Sequence, residues 1–205
     1  IWGRSVEDYR RAAEMLADAP DSVVAVEVNL SCPNLEGRGG IFAHDAALSA
    51  EVLAATEACG RPRWAKLSPN TDRIAEVARA VTQAGAEALT LVNTLLGLAL
   101  DPKTLRPTLG NGGGGLSGPA IHPIAVRAVA DVRAALPDTP IVGVGGVATT
   151  ADAIELMAVG ASAIQIGTAL FADPRVLARV RDGLVTEAAR RGLGSVAEFT
   201  GLARL

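Results

Sequence analysis

The sequence predicts an α/β fold, a (β/α)8 barrel of which the chain covers about the last five βα units. Strand and helix signals alternate through all 205 residues, which is typical of a parallel sheet covered by helices. Residues 85–94 (GAEALTLVNT) resemble residues 160–169 (GASAIQIGTA), as expected for a duplicated unit. A complete barrel needs about 250 residues, so we expect roughly three amino-terminal units to be absent. In that case Ile1-Trp2 would be the end of a strand whose beginning is absent. The alternative fold is a complete five-stranded open sheet.

Local signals define the first units in order. Ser5 can cap a helix over residues 6–17, with Asp8 at the capping-box position. The β-branched run at 23–28 predicts a buried strand, and a helix follows near 45–58, just before Gly60. A strand at 63–67 precedes a helix that ends at Gly85, since glycine commonly terminates helices.

The later units follow the same pattern. A strand at 88–92 leads into a long loop that reaches Gly118, and loops of that length are usually lids or binding loops. A helix over 119–136, a strand at 141–144 and a helix over 150–159 come next. A strand at 163–166 and a helix from about 174 to 191 complete the chain.

The composition indicates one domain over residues 1–205 and excludes several classes of protein. A net charge of −3 does not indicate binding to nucleic acid or to an anionic membrane, which needs an excess of positive charge. No uncharged apolar run approaches the roughly 18 residues of a membrane span. The two cysteines have no metal-ligand spacing, which favours a reducing cytoplasm over a disulfide framework. We interpret Cys59, next to Gly60, as a packing residue.

The segment 29–34 (NLSCPN) is the most informative motif. It places Asn29, Cys32 and Asn34 directly after a predicted buried strand, and α/β proteins keep their sites at the carboxyl ends of such strands. The proline after Cys32 ends the strand and fixes the path of the loop. The alternative is a turn that contains one half-buried cysteine.

Lys66 and Asn93 lie at the carboxyl ends of the next two strands. A charge at such a position is costly unless it is paired or bound, so Lys66 can form a Schiff base or hold a fixed positive charge near a ring or phosphate. Otherwise it extends into solvent at the sheet rim. Asparagines donate and accept hydrogen bonds together, a pattern that matches a pyrimidine or another cyclic amide.

Two glycine groups follow the last two strands. Residues 143–148 (GVGGVA) formally match a dinucleotide-binding fingerprint, but that motif opens a mononucleotide-binding half, and this unit comes late in the chain. Gly145-Gly146 and Gly167-Thr168 are better interpreted as a pair of phosphate-binding loops. Glycines chosen only for tight turns are the alternative.

Taken together, these positions resemble the dihydroorotate dehydrogenase family. The matching stretches run in family order through nearly the whole chain: 27–34 (EVNLSCPN), 66–70 (KLSPN), 89–97 (LTLVNTLLG), 115–120 (GLSGPA), 145–146 (GG) and 160–168 (GASAIQIGT). The resemblance implies a barrel that binds FMN at its carboxyl face and oxidises dihydroorotate to orotate in pyrimidine biosynthesis.

The resemblance also implies a role for each matched residue. Cys32 falls where class 1 members carry the catalytic base, which removes a proton from C5 of dihydroorotate as hydride leaves C6. The implied pyrimidine-binding residues are Asn29, Asn34, Asn93 and Thr94. Lys66 would stabilise charge on the flavin, and the residues that would line FMN and its phosphate are Gly118, Gly145, Gly146, Gly167 and Thr168.

Within class 1, the motifs are most similar to the NAD-linked subfamily B. In that subfamily the FMN subunit associates with a second subunit that carries FAD and an iron–sulfur cluster, and we also expect a homodimer. Two departures are His122, where lysine is expected, and Ala43-His44-Asp45, which replaces a more glycine-rich pattern. Neither histidine has an obvious partner in the sequence, and we assign neither a catalytic role.

Four alternatives remain open from the sequence. The first is the fumarate-linked subfamily, and the second is a pyrimidine reductase like dihydropyrimidine dehydrogenase, which Asn34 disfavours because that relative tends to have histidine there. The third is a Schiff-base aldolase that uses Lys66. A degenerate barrel that serves only as a partner's scaffold is the fourth, and the retained Cys32 and Lys66 argue against it.

Overall fold

A parallel sheet organises the structure. The computed structural model describes residues 1–31 and 41–203. Its strands are β1 (Val26–Asn29), β2 (Arg63–Lys66), β3 (Ala88–Leu91), β4 (Leu95–Gly97), β5 (Gly114–Leu116), β6 (Ile141–Val144) and β7 (Ala163–Gln165). Its α-helices are α1 (Val6–Glu14), α2 (Ala46–Ala55), α3 (Ile74–Gln83), α4 (His122–Ala135), α5 (Thr150–Ala158), α6 (Ala169–Ala172) and α7 (Val176–Arg190).

The five strands of the main sheet follow one another in the order β1-β2-β3-β6-β7, and all neighbouring pairs are parallel. The order never reverses, so this sheet has no topological switch point of the kind at which dinucleotide-binding folds hold their ligand. The fingerprint-like glycines of residues 143–148 therefore lie in an ordinary βα loop of a singly wound sheet.

The sheet is strongly curved. Gln165 on β7 donates a hydrogen bond from Nε2 to Glu27 Oε2 on β1 at 2.9 Å, although these strands are at opposite edges. In a flat sheet, strands four positions apart are about 19 Å from each other, beyond the reach of two side chains. The strands therefore bend around a shared interior, as in a barrel wall, and a flat open sheet does not describe them.

Ile1 continues the sheet beyond β1. Its amino group donates to the carbonyl oxygen of Glu27 at 2.6 Å, and its carbonyl oxygen accepts from the N–H of Asn29 at 2.9 Å. This alternation is that of a parallel neighbour. The interpretation of Ile1 as strand-like agrees with this placement.

The core is aliphatic and lies between the sheet and its helices. Each long helix packs on the next, in the pairs α1–α2, α2–α3, α3–α4, α4–α5 and α5–α7. Leu89 and Leu91 on the central strand β3 are fully buried, and burial of a leucine side chain stabilises a fold by about 1.5–3 kcal/mol. Among the aromatic residues, the rings of Tyr9 and Phe42 meet edge to face with centroids 5.5 Å apart.

Helix starts agree with the capping signals. Ser5 and Asp8 form the predicted capping box at the start of α1, and Thr149 with Asp152 forms a second one at α5. Asp45 accepts a hydrogen bond from the N–H of Leu48 and caps α2. These caps fix where three of the βα loops end, because they satisfy N–H groups that a helix start leaves free.

Several predicted strands and helices are longer than those in the structure. Strand β1 begins at Val26 because Val23 closes a turn onto the carbonyl oxygen of Pro20. Helix α1 ends at Glu14, and the segment before Gly60 is a separate 3-10 turn over Glu57–Cys59. The predicted 174–191 helix is α7, which follows the short α6 and the Asp173-Pro174 break. A similar 3-10 turn, Pro119–Ile121, opens the helix predicted at 119.

The long loop before Gly118 was wrongly predicted to lack structure of its own. Strands β4 and β5 pair antiparallel in the register Leu95↔Leu116, Leu96↔Gly115 and Gly97↔Gly114, and bridges Leu100↔Pro107 and Leu109↔Gly112 extend the hairpin. The glycines 112–115 obscured the strand signal, since glycine is depleted in strands. The hairpin exposes six leucines: Leu96, Leu98, Leu100, Leu105, Leu109 and Leu116.

Within residues 1–31 and 41–203, none of the helices has the length and apolar character needed to cross a bilayer.

Candidate functional site

A cavity of about 580 Å³ opens at the carboxyl ends of β2, β3, β6 and β7. This volume is within the roughly 300–1,000 Å³ of small-molecule and cofactor pockets. The carboxyl ends of four strands of a curved parallel sheet converge there, so the fold itself places the cavity.

Most of the predicted site residues line this one cavity: Lys66, Asn93, Thr94, Gly118, Gly145, Gly146, Gly167 and Thr168. Asn29 reaches the same group of side chains through Asn93. Cys32 and Asn34 lie outside the described residues. The structure thus brings the described candidates together, and the roles assigned to them remain predictions.

The asparagines at the ends of β1 and β3 contact each other. Asn93 donates from Nδ2 to Asn29 Oδ1 at 3.3 Å. Asn29 Oδ1 also accepts from the N–H of Ser31 at 3.1 Å, and Asn93 Oδ1 accepts from the N–H of Thr94 at 2.8 Å. Each amide is therefore oriented by its own loop, which leaves a polar edge with fixed donor and acceptor directions.

Asn70 is a positioning residue that the motif analysis did not single out. Its Nδ2 donates to Ser68 Oγ at 2.8 Å and to the carbonyl oxygen of Thr94 at 3.0 Å. Its Oδ1 accepts from the N–H of Leu96 at 2.7 Å. Asn70 thus clamps the cavity wall at Thr94 and the start of the hairpin to the loop after β2. The Ser-Pro-Asn turn after a strand was the available signal.

The Gly145-Gly146 loop needs glycine at both positions. Their φ angles are +138° and +71°, conformations that side-chain-bearing residues rarely adopt. A Cβ on Gly146 would lie 2.8 Å from the carbonyl oxygen of Gly118 and 2.8 Å from His122 Cβ. Glycine at this position lets the loops after β6 and β5 approach each other at the cavity wall.

Gly167, unlike Gly146, has free space where a side chain would be. A Cβ there would meet no heavy atom within 4 Å, so the backbone of the loop after β7 borders open space in the cavity. A Cβ on Gly118 would come no nearer than 4.0 Å to Thr168 Oγ1. The cavity between these loops is thus open to a ligand that contacts backbone and one hydroxyl.

His122 supports the Gly145 loop from behind. Its ring is 7% exposed, with Nδ1 2.9 Å from the carbonyl oxygen of Gly145 and Nε2 3.2 Å from Glu155 Oε2. The ring is thus held at both of its nitrogens, by a backbone carbonyl on one side and a carboxylate on the other. His122 therefore has partners that the sequence did not reveal, and it is not among the residues that line the cavity.

Asp152 fixes the far end of the same loop. Its Oδ2 accepts from the N–H of Ala148 at 3.0 Å and from the N–H and hydroxyl of Thr149 at 2.8 and 2.9 Å. Burial disfavours the charged carboxylate, but these hydrogen bonds outweigh burial, so the pKa of Asp152 lies below its usual value. The loop from Gly145 to Ala148 is thus held at both ends by side chains outside the cavity.

Lys66 is a half-buried cation of the cavity wall. Its side chain is 23% exposed, and Nζ lies 3.5 Å from Glu27 Oε1. The pairing answers the expectation that a charge at the end of a strand needs a partner or a ligand. The ammonium group is held inside the curved sheet, which contradicts the alternative of a lysine that extends into solvent at the rim.

A family model described as dihydroorotate dehydrogenase matches residues 1–187. The chain belongs to the dihydroorotate dehydrogenase family. The resemblance found in the sequence is confirmed by this match, which covers the described site from Asn29 to Thr168.

Curated relatives carry a more specific name. The chain is 42% identical over 202 residues to the dihydroorotate dehydrogenase B (NAD(+)) catalytic subunit of Geotalea uraniireducens, and 44% identical over 202 residues to that of Bacteroides thetaiotaomicron. Each alignment covers 98% of this chain and 66% of the relative. The Cutibacterium acnes protein of the same name is 47% identical over 191 residues, 90% of this chain and 60% of that protein. The chain spans about two thirds of the length of the curated relatives it matches.

A solved structure supports the fold. Dihydroorotate dehydrogenase from Eimeria tenella, crystallised in complex with ferulenol, superposes with a TM-score of 0.78 at 23% identity. The match covers 96% of this chain and 57% of that chain. The predicted α/β barrel fold is confirmed by this likeness and by the curvature of the sheet.

Replacement of Gly146 with alanine tests how tightly the loop is packed. Gly146→Ala should lower the free energy of unfolding by about 1–3 kcal/mol more than Gly192→Ala does, because the new Cβ displaces neighbouring backbone. Gly192 is the matched control, since its φ is +72° and a Cβ there meets nothing within 4 Å. Urea unfolding of the full-length protein followed by circular dichroism measures both, and equal losses would contradict the close approach to Gly118.

Proposed function

We propose that the protein oxidises (S)-dihydroorotate to orotate with FMN, as a step of de novo pyrimidine biosynthesis. The observation that carries the proposal is a single cavity that joins an amide edge, a half-buried lysine and two glycine loops. The family membership and the names of the curated relatives support the same activity.

The cavity residues fit FMN. Gly145, Gly146, Gly167 and Thr168 would hold the phosphate, since backbone and hydroxyl groups suit an anion, and Gly118 would line the cofactor beside them. The open space beside Gly167 is of the kind that a ligand approaching the backbone needs. Lys66, at the other side of the cavity, would face the ring system. When bound, FMN supplies the acceptor for a hydride from C6 of dihydroorotate.

The polar edge would orient the pyrimidine. Asn29, Asn93 and Thr94 present donors and acceptors that are fixed by their own loops, and the resemblance adds Asn34 to this set. A ring with alternating C=O and N–H groups satisfies such an edge. The substrate is thereby held with one face toward the cofactor, which is the positioning that hydride transfer needs.

Cys32 would act as the base that removes the proton from C5. This assignment rests on the resemblance and on its place three residues after Asn29, directly beyond Ser31. A base must lie within hydrogen-bond reach of the proton it removes, and the loop after β1 begins at the amide edge that would hold the substrate.

We also propose a separate electron-transfer subunit with FAD and an iron–sulfur cluster, and NAD as the terminal acceptor. Iron–sulfur clusters are held by sets of cysteines, usually four, and this chain contains two, so the cluster would belong to the partner. The name "catalytic subunit" carried by the curated relatives supports this arrangement. The same proposal places the protein in the cytoplasm, in keeping with its sparse cysteines.

We also propose that the protein forms a homodimer, with the β4–β5 hairpin as the surface through which the two copies contact each other. Six leucines are exposed on this one hairpin, and exposed apolar side chains concentrated in one place support an interaction site. A twofold axis would let the same hairpin surface contact its copy.

Reduction of the flavin by substrate tests the activity. The full-length protein should purify yellow, and anaerobic addition of dihydroorotate should bleach the absorbance of the oxidised flavin rapidly. A yellow protein that does not bleach would contradict the substrate and favour another reduced pyrimidine. A protein that takes up no FMN would overturn the proposal, and borohydride trapping of a substrate on Lys66 would then support the aldolase.

Replacement of Cys32 tests the base. Cys32→Ala should still bind FMN, because the residues that would hold the phosphate are untouched, but dihydroorotate should reduce it at least about 100-fold more slowly. Stopped-flow absorbance measures the rate. Cys59→Ala is the control, since this cysteine is buried and its Sγ faces the carbonyl oxygen of Arg61. An unchanged rate in Cys32→Ala would remove Cys32 from the mechanism.

An introduced charge tests the dimer contact. Leu98→Asp should raise the dissociation constant of the dimer at least about tenfold, as expected for a residue inside an apolar interface. Sedimentation velocity measures the change. Leu177→Asp on α7 is the control, because this leucine is exposed to a similar degree but lies outside the hairpin. A dimer that tolerates Leu98→Asp but dissociates with Leu177→Asp would place the interface on α7.

A further inference from the structure

Three strands of the sheet each send one side chain to a single carboxylate on a fourth strand. Glu27 on β1 accepts hydrogen bonds at Oε2 from Thr90 Oγ1 on β3 at 2.8 Å and from Gln165 Nε2 on β7 at 2.9 Å. Its other oxygen, Oε1, lies 3.5 Å from Lys66 Nζ on β2. One carboxylate inside the curved sheet therefore has three partners from three different strands.

The strand register explains why these side chains meet. Asn29 pairs with Lys66, and Lys66 with Thr90, in the parallel ladder, so these three side chains form one row on the same face. Glu27 precedes Asn29 by two residues and therefore shares that face. The curvature of the sheet then brings Gln165 across to the same carboxylate.

The arrangement fixes the position of Glu27 more firmly than that of Lys66. Two neutral donors hold Oε2, and Thr90 is fully buried, so the carboxylate has little freedom. Lys66 is a long, flexible side chain that lines the cavity, and its ammonium group is paired with Glu27. Glu27 thus determines the position of the ammonium group. It also determines how strong the positive potential of that group is in the cavity.

We propose that Glu27 is a positioning residue that acts through Lys66. It holds the ammonium group at the cavity wall and offsets part of its positive charge, and in this way it sets the reduction potential of the bound flavin. The inference rests on the proposed function, because it takes FMN as the occupant of the cavity. A nearby positive charge favours negative charge on a ring, and a fixed carboxylate beside that charge weakens the effect.

The first test is Glu27→Gln in the full-length protein loaded with FMN. The amide oxygen of glutamine can still accept from Thr90 and Gln165, whereas the charge beside Lys66 is removed. The flavin midpoint potential should rise, with the preference for reduced over oxidised flavin increasing on the order of tenfold. Tenfold corresponds to about 30 mV for a two-electron couple. The affinity for oxidised FMN, measured by fluorescence quenching, should change less than about threefold, since the glycine loops are untouched.

Two variants serve as controls for charge and for anchoring. Glu87→Gln removes the same charge at an exposed position just before β3 and should leave the potential unchanged. Thr90→Val removes one anchoring hydrogen bond and keeps both charges, so it should raise the potential less than Glu27→Gln does. A Thr90→Val protein with the parent's potential would show that anchoring is not needed and would overturn the positioning role.

A double-mutant cycle with Lys66→Met separates action through Lys66 from a direct effect of the carboxylate. The rise caused by Glu27→Gln should be much smaller in the Lys66→Met background. Equal rises in both backgrounds, or an unchanged or lowered potential in Glu27→Gln itself, would overturn the inference and leave the proposed function intact. A parent protein that binds no FMN would overturn both.

Discussion

The curvature of the parallel sheet is the constraint on which the rest of the structure depends. Strands with the order β1-β2-β3-β6-β7 could lie in an open layer, yet the hydrogen bond between Gln165 and Glu27 joins the two outermost of them. This curvature turns a row of strand ends into the wall of a cavity. It also creates an interior in which polar side chains from different strands can satisfy one another, as buried polar groups require.

The loops that form the cavity are shaped largely by residues that do not line it. His122 holds the carbonyl oxygen of Gly145, and Asp152 holds the N–H of Ala148. Asn70 holds the carbonyl oxygen of Thr94 in the loop after β3. Such support lets glycine-containing loops keep one conformation despite their intrinsic freedom.

Much of the site could be predicted from the sequence because it depends on local signals. Lys66, Asn93 and the paired glycines each follow a short apolar run, and the carboxyl ends of parallel strands meet at one edge. The partners of Glu27 could not be predicted in this way, since Thr90 and Gln165 are brought to it by curvature and register across four strands. The hairpin was missed because its glycines weaken the strand pattern. Cys32 lies outside the described residues, and its role stays a prediction.

The clamp formed by Asn70 has a mechanical consequence. One side chain holds both the carbonyl oxygen of Thr94 and the N–H of Leu96, so the cavity wall and the base of the hairpin share an attachment to the loop after β2. A displacement of the hairpin that moves Leu96 therefore also acts, through Asn70, on the hydrogen bond at Thr94. Movement of the hairpin and the geometry of the amide edge are therefore coupled through Asn70 in the loop after β2.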